Sequence, residues 1–589
     1  MKESGMRVRS AFPRWASVSF SMSVLLFICS TIFSPVTIAQ QAAPLDNEAA
    51  TAISNADDEL PPLPLSPIEK AQKDGTALSI SLKDLTKLAL QNNLDIAIED
   101  TNEELSRQAI IQSQGVYDPS LAARFTFNSN RNPNTNLATK STTGSFSQRK
   151  QANWNFTFTQ PVKTGGSLEI GWNSGRSDQV TTFTLFNPQY NASGSISFTQ
   201  PLWRNFRIDD NRSQIKITNL DLETSDSQFK QRVTETIADI QSRYWDLVSA
   251  IRDYEIKRDS VRLAQITLRD NRKKVEVGTL APIEVTQAEA QAANREVDLI
   301  SAEDTILNRE NALRQLISND RNAPIWSQVI VPTETPDFRE YKVDLDTAIL
   351  TALNNRPELE QADIGLEQSD IRIKLNQNKR RWQVDLIASL GSVGVAGPQF
   401  YQLDPITGKE VLDPDGNPIP QTPLPLVGGI GNAYKTVFTE GFYNWSVGFN
   451  VQVPLRNRTT DAQIAREEID KRRKLMQRKN QEQAIQVEVR NAVQNLETNR
   501  KRVETSKVAL RLAQEQLDGE VKRFEAGLSE NFRVLDQQNA LSTAEYQELV
   551  SLINYKKSII TLQKAMYTLL EANEFDMAKG SAYSVPDLE

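Results

Sequence analysis

The residue types that most often carry chemistry are missing from this chain or stand in the wrong company. Its 589 residues include no histidine, which removes the commonest general base, the triads built on it and most zinc sites. The one cysteine, Cys29, lies in an N-terminal apolar run, so the mature chain is expected to have no thiol and no disulfide. No nucleophile–base constellation and no phosphate loop can be assembled from what remains. Asp413-Pro-Asp415-Gly416-Asn417-Pro418 has the look of a calcium loop but lacks the later ligand spacing and the terminal glutamate, so a turn in a surface loop fits it better. The basic cluster Arg472-Arg473-Lys474 alternates with Glu467-Glu468, a solvated helix face, and the formal net charge is -8. Nucleic acid is therefore not an expected partner, and neither a metal ion nor a cofactor is expected.

What the chain repeats is architecture. Arg523–Gln538 and Lys274–Ala288 each run up to a single glycine, Gly527 or Gly278, pass a few turn residues and start a second helical segment. A glycine there suits the left-handed residue that closes a helix, and Pro282 suits the first turn of the next one. Each is the tip of a helical hairpin, and the tips lie 249 residues apart. Shifted by that offset, six apolar pairs coincide at steps of seven: Ile240/Val489, Leu247/Leu496, Tyr254/Val503, Val261/Leu510, Leu268/Leu517 and Val275/Phe524. Spacing of this kind is a coiled-coil pattern, whereas the stripe of an ordinary amphipathic helix drifts off a strict heptad. The shared phase makes the chain two copies of one unit, residues 78–330 and 331–573, followed by a C-terminal tail, 574–589.

Ahead of the repeats, Arg7, Arg9 and Arg14 precede the apolar run Val18–Phe33, with small residues near Ala39. This reads as a cleaved secretory signal peptide over 1–39. A membrane anchor is the alternative, although the run is short for a span. A lipoprotein site at Cys29 is disfavoured by Ile28. Residues 40–77, rich in Ala, Pro and acid, are expected to be an extended, poorly ordered leader. No later stretch offers a transmembrane helix.

Each unit then has the same order of elements. Leu82–Gln114 and Leu345–Arg380 are helical with matching apolar positions and a short break at Asn92-Asn93 and Asn355-Arg356-Pro357. Strand-like alternation follows at Leu121–Phe127, Trp154–Phe158, Leu168–Trp172 and Ile196–Phe198, and again at Val384–Ser392 and Trp445–Val453. Gly394–Gly441 reads as a long loop rich in Pro and Gly. Alternation alone fits a half-buried soluble sheet or a transmembrane β-barrel strand. Export, few strands per chain and very long helices favour the barrel, which so few strands could close only in an oligomer. After Pro201-Leu202 and Pro454-Leu455 come long helices, about Asn211–Val277 and Thr460–Ala526, roughly 100 Å each at 1.5 Å per residue. Return helices run over about Pro282–Ser318 and Phe532–Ala572. The two shorter helices of each half sum to about one long helix, so they are expected to stack end to end beside it. All strands then gather at one end and both tips at the other.

This ordered set resembles the TolC-type outer-membrane factors over about residues 78–573. The likeness rests on the duplication, the Pro-Leu exits from the strands and the tips Val277-Gly278-Thr279-Leu280 and Ala526-Gly527-Leu528-Ser529. The resemblance implies a mainly α fold with a smaller β part: a homotrimeric outer-membrane β-barrel continued by a long periplasmic α-helical barrel. It implies an exit duct of a tripartite efflux pump or type I secretion system, carrying small molecules or proteins outward. Partners would be outer-membrane lipid, a periplasmic adaptor docking on the tips (Gly278, Thr279, Leu280, Gly527, Leu528, Ser529) and, through it, an inner-membrane transporter.

Position by position, Asp536 falls on an acidic ring of the family's periplasmic gate and Glu284 on an acidic linking position. Arg533 stands where the family has its other ring acid, and Ser529 and Phe524 replace its linking Arg and Tyr. An Arg533–Asp536 or Arg533–Glu284 pair would follow, a closure unlike the family's. The first strand region also departs, with four strand-like segments where the family pattern has two; either the barrel is larger or the extra pair is a surface hairpin. A periplasmic coiled-coil adaptor or scaffold is the rival reading, and it would need neither strands nor two tips. An enzyme is a weaker third.

Overall fold

A computed structural model describes residues 63–133, 145–179, 186–404, 406–407 and 409–573. The expected signal peptide, Cys29, the leader up to residue 62 and the tail 574–589 lie outside the described residues. The fold is mainly helical with one large sheet, and the helices of each half repeat those of the other, while the first half carries four long strands and the second two.

Two helices set its length. α4 spans Asp210–Glu276 with 67 residues and α9 spans Arg458–Glu525 with 68. The Asp209 side chain caps α4 by accepting from Arg212 N–H. The heptad positions are the core: Ile240, Leu247, Tyr254 and Val261 on α4, and Val489, Leu496 and Val503 on α9, are all buried. Beside α4 stand α2 (Leu82–Asn92) with α3 (Leu94–Gln114), and α5 (Pro282–Ile317). Beside α9 stand α6 (Leu345–Asn355) with α7 (Pro357–Lys379), and α10 (Asn531–Met566), which ends at the short α11 (Leu569–Ala572). α7 and α10 also pack on α4. The lateral order is therefore α3/α5, α4, α7/α10, α9: four helices abreast, with α3/α5 at one edge and α9 at the other.

The breaks between stacked helices are polar. Asn93 ends α2 and starts α3: its Oδ1 accepts from Asp95 and Ile96 N–H, and its Nδ2 donates to Leu316 O at the end of α5. In the second half Arg356 stands there instead, paired with Glu358 at 2.9 Å and with Glu488 on α9, just ahead of Pro357.

Three differences from the sequence reading follow from local chemistry. The end of the expected leader is ordered: α1 (Pro67–Asp74) is started by a capping box between Ser66 and Glu69 and closed by left-handed Gly75. Next, β1 (Ala77–Ile80) pairs in parallel with β6 (Val329–Pro332), binding the leader to the junction of the repeats. The buried Glu310–Arg314 pair holds that junction, Glu310 accepting from Ile330 N–H at 2.6 Å and Arg314 donating to Ile325 O. Finally, the loop Gly394–Gly441 contains a helix, α8 (Ile430–Thr439), because Ile430, Ala433, Tyr434 and Val437 share one face.

The large sheet has six strands: β2 (Ser120–Pro133), β3 (Phe146–Pro161), β4 (Ser167–Gln179), β5 (Gln189–Pro201), β7 (Gln383–Ala396) and β8 (Tyr443–Gln452). They lie in the order β2-β3-β4-β5-β7-β8, every pair antiparallel. β2 follows α3 and β8 precedes α9, so the sheet's edges belong to the same lateral edges as the helical layer's. The four segments of the first half make one continuous wall with β7 and β8; β3 and β4 do not form a separate hairpin.

Candidate functional site

The sheet has two unlike faces. Register puts Leu121, Phe125 and Phe127 of β2 beside Phe158, Trp154 and Ala152 of β3. Ile170, Ile196, Leu390 and Trp445 run in one row across β4, β5, β7 and β8 on that same face. The opposite face carries Thr126 and Asn128, then Asn153, Asn155 and Thr157, then Asn173, Ser193, Ser389 and Ser446. Strands of 10 to 16 residues are long enough for the roughly 9–11 that cross a bilayer. Apolar-out, polar-in alternation is the pattern of a membrane barrel with a wet lumen. The connection from β3 to β4, at the end nearer the helices, is a short turn: Val162 N–H bonds Gly166 O and Gly165 N–H bonds Val162 O. Connections at the far end are longer, again as in outer-membrane barrels.

α8 lies on the aromatic face. Ala433 and Val437 sit against Ala192 of β5 and Ala396 of β7, and a Cβ on Gly394 would fall 2.0 Å from Ala433 O. Trp172 of β4 meets Tyr434 edge-on at 5.5 Å and stacks on Phe438 at 5.9 Å. Trp154 of β3 donates to the Tyr434 hydroxyl. Lys435 and Phe438 are exposed, a mixture of charge and aromatic surface suited to a membrane interface.

At the opposite end are the two tips, built alike. Gly278 and Gly527 are left-handed, with φ of 72° and 76°. Thr279 N–H bonds Lys274 O and Gly278 N–H bonds Val275 O; Leu528 and Gly527 repeat this with Arg523 and Phe524. Both are Schellman closures. Val277, Ile283, Leu528 and Phe532 are exposed around them, and Leu280 is half-buried.

The hairpins also touch each other. Asn531, buried at the start of α10, donates to Glu284 Oε2 at 3.3 Å, and Lys274 Nζ sits 3.9 Å from the centre of the Phe524 ring. Ser529 donates to Glu520. The expected Arg533–Asp536 and Arg533–Glu284 pairs are not formed within the chain. The buried side of α10 takes Asn531, Val534 and Leu535, which turns Arg533 and Asp536 to the surface, and Asn531 occupies Glu284. The sequence reading missed Asn531, whose partner is 247 residues away on another hairpin. It also missed Glu520 and the aromatic cluster around α8.

The calcium-like stretch is a turn: Asp413 Oδ1 accepts from Asp415 and Asn417 N–H, with Gly416 left-handed. No helix among the described residues is long and apolar enough to cross a membrane.

Comparison with known proteins agrees with this geometry. No curated protein matches the chain in sequence. Solved structures share its fold at low identity. The Campylobacter jejuni CmeC outer membrane channel matches with a TM-score of 0.56 and 15% identity, over 85% of this chain and 87% of that one. The Vibrio cholerae outer membrane protein VceC gives 0.55 and 14%, over 82% and 95%. The Neisseria gonorrhoeae MtrE outer membrane channel gives 0.54 and 16%, over 83% and 89%. The family model "Outer membrane efflux protein" matches residues 85–319 and 348–567, one stretch in each repeat. The chain belongs to the outer membrane efflux protein family, a family of channels of the outer membrane and not of enzymes.

Proposed function

We propose that three copies of the chain close into one exit duct, with the sheets forming a barrel in the outer membrane and the helices a tunnel below it. The observation that carries this is a double edge. Among the described residues β2 and β8 each lack a partner on one side, and Phe125, Phe127, Trp445 and Phe449 on them are exposed. Open strand edges are not tolerated in lipid. The helical edges match: Ile98 and Leu105 on α3, Ile300 and Leu307 on α5, and Ile469 and Met476 on α9 are exposed and spaced by seven. β2 runs away from the helices and β8 runs toward them, so β8 of one copy can pair antiparallel with β2 of the next while α9 meets α3/α5. The contact is head-to-tail and closes as a ring.

The duct serves a tripartite efflux pump or a type I secretion system. Exposed apolar residues at the two tips form the docking surface for a periplasmic adaptor, which links the duct to an inner-membrane transporter. Glu284, Arg533 and Asp536, repeated by threefold symmetry, ring the periplasmic entrance and bias which ions pass. A cleaved signal peptide delivers the chain across the inner membrane. Mass measurement and planar-bilayer recording of detergent-purified protein test the reading: trimers that open discrete channels support it, and monomers that never insert overturn it.

A further inference from the structure

We infer that the hairpin β3–β4 is an insertion into the barrel wall, so that the trimer closes with eighteen strands and the outer mouth is as wide as the helical tunnel. This rests on the trimeric duct proposed above and adds the size of its opening. In the second repeat β7 and β8 occupy the places that β2 and β5 occupy in the first. β3 and β4 therefore have no counterpart.

They are nonetheless built as wall. β3 bonds β2 over fourteen residue pairs, from Ser120↔Thr159 to Pro133↔Phe146, and β4 bonds β5 from Ser167↔Thr199 to Ser177↔Gln189. Both continue the two faces of the sheet without a change of register. Phe156, Phe158, Ile170 and Trp172 lie on the aromatic side, and Asn153, Asn155, Thr157 and Asn173 on the polar side. A flap lying outside the barrel would have no need of that segregation. α8, from the second repeat, straps the insertion in place: it touches Trp154 of β3 and Trp172 of β4 while seated on Ala192 and Ala396. It does so on the lipid side, leaving the lumen clear.

Geometry then fixes the widths. With strands about 4.8 Å apart and tilted about 35–45°, twelve strands give a backbone radius of about 11–13 Å and eighteen about 17–20 Å. Four helices abreast in three copies, at about 8–10 Å between axes, give a tunnel of about 15–19 Å. Eighteen strands match that tunnel; twelve would pinch it. The added wall is lined mainly by amides and hydroxyls, and the two charges on its lumen face are opposite in sign, Glu169 on β4 and Arg149 on β3, the latter donating to Ser177. The mouth thus suits bulky polar cargo with little selection by charge.

The test uses the only cysteine being Cys29. N155C and N173C would be placed on the polar face, F158C and I170C on the aromatic face, and S389C on β7 as a lumen control. A charged, membrane-impermeant thiol reagent is added to single trimers in planar bilayers. Loss of current in up to three steps is expected for N155C, N173C and S389C, and none for F158C or I170C. If S389C blocks while N155C and N173C do not, the hairpin lies outside the wall and the inference falls although the duct stands. If no variant and no wild-type trimer conducts, the duct itself falls and takes the inference with it. Neutral polymers added from the outer side to the unaltered protein give a second measure. Entry of polymers too wide for a twelve-strand wall supports the inference, and their exclusion overturns it.

Discussion

The indole N–H of Trp154 donates to the Tyr434 hydroxyl at 2.8 Å, joining residues 280 positions apart in the chain. One lies in the unduplicated hairpin of the first repeat and the other on α8, in the loop of the second. The bond therefore ties the sheet's extra strands to its far half.

Removing that bond should cost little but be measurable. Tyr434→Phe leaves the ring contact with Trp172 and removes the acceptor, for about 0.5–1.5 kcal/mol. Trp172→Ala removes the edge contact and the Phe438 stack together and should cost about 3–5 kcal/mol if the site does not collapse. Heat-induced dissociation of the assembly, followed by gel mobility, ranks the two; equal midpoints would mean that α8 does not secure the wall.

The seat of α8 is made by a missing side chain. A Cβ at position 394 would meet Ala433 O at 2.0 Å, and Thr436 and Val437 next. Gly394→Val should lift α8 from the sheet, at about 1–3 kcal/mol for overpacking. Limited trypsin cleavage after Lys435 reads this out: faster in the variant, slow in the parent.

How much of this was legible in the sequence depended on how local each cause is. The heptads of α4 and α9 and the tip glycines are periodic or single-residue signals, and the structure repeats them within a residue or two. α1 had a readable signal in Ser66 and Glu69, hidden by reading composition ahead of capping. α8 had one in Ile430, Ala433 and Val437, masked by the surrounding Pro and Gly. The β1–β6 pair had none: four residues find partners about 250 positions away, and nothing local records that. The same holds at the tips. The closure residues were visible, but Glu284's partner was not, because hairpin-to-hairpin contact decides it.

At the tips, Gly278→Ala or Gly527→Ala meets no neighbouring atom but places a side chain in left-handed backbone, costing roughly 1–2 kcal/mol. The fold should survive while the closing turn loosens. Amide hydrogen exchange should speed up at Gly278 and Thr279, or at Gly527 and Leu528, and not in the middle of α4 or α9.

Charge at the entrance should be felt through the exposed pair. Arg533→Glu is expected to shift reversal potentials toward cations, and Asp536→Asn toward anions. Unchanged selectivity in both would remove these residues from the gate.

Acid should release two straps before it unfolds the helices. Ser66 N–H and Arg258 hold the Glu69 carboxyl below its ordinary range, and Lys556 at 2.6 Å does the same for Asp337. A folded-state pKa lowered below the unfolded one gives stability that is present above the ordinary carboxylate range and lost as pH falls through the lowered value. Proteolysis of residues 63–80 and 333–344 by an acid-active protease should therefore accelerate on going from about pH 5 to pH 3. Glu69→Gln should show the fast rate near residue 69 already at pH 5. A rate independent of pH would contradict the assignment.

The central claim is closure of three chains into one conducting duct. Its most direct test is the mass of the detergent-purified protein measured alongside its planar-bilayer conductance. The account predicts a particle three times the mature chain's mass that opens discrete channels. A monomer that leaves the bilayer silent would contradict it.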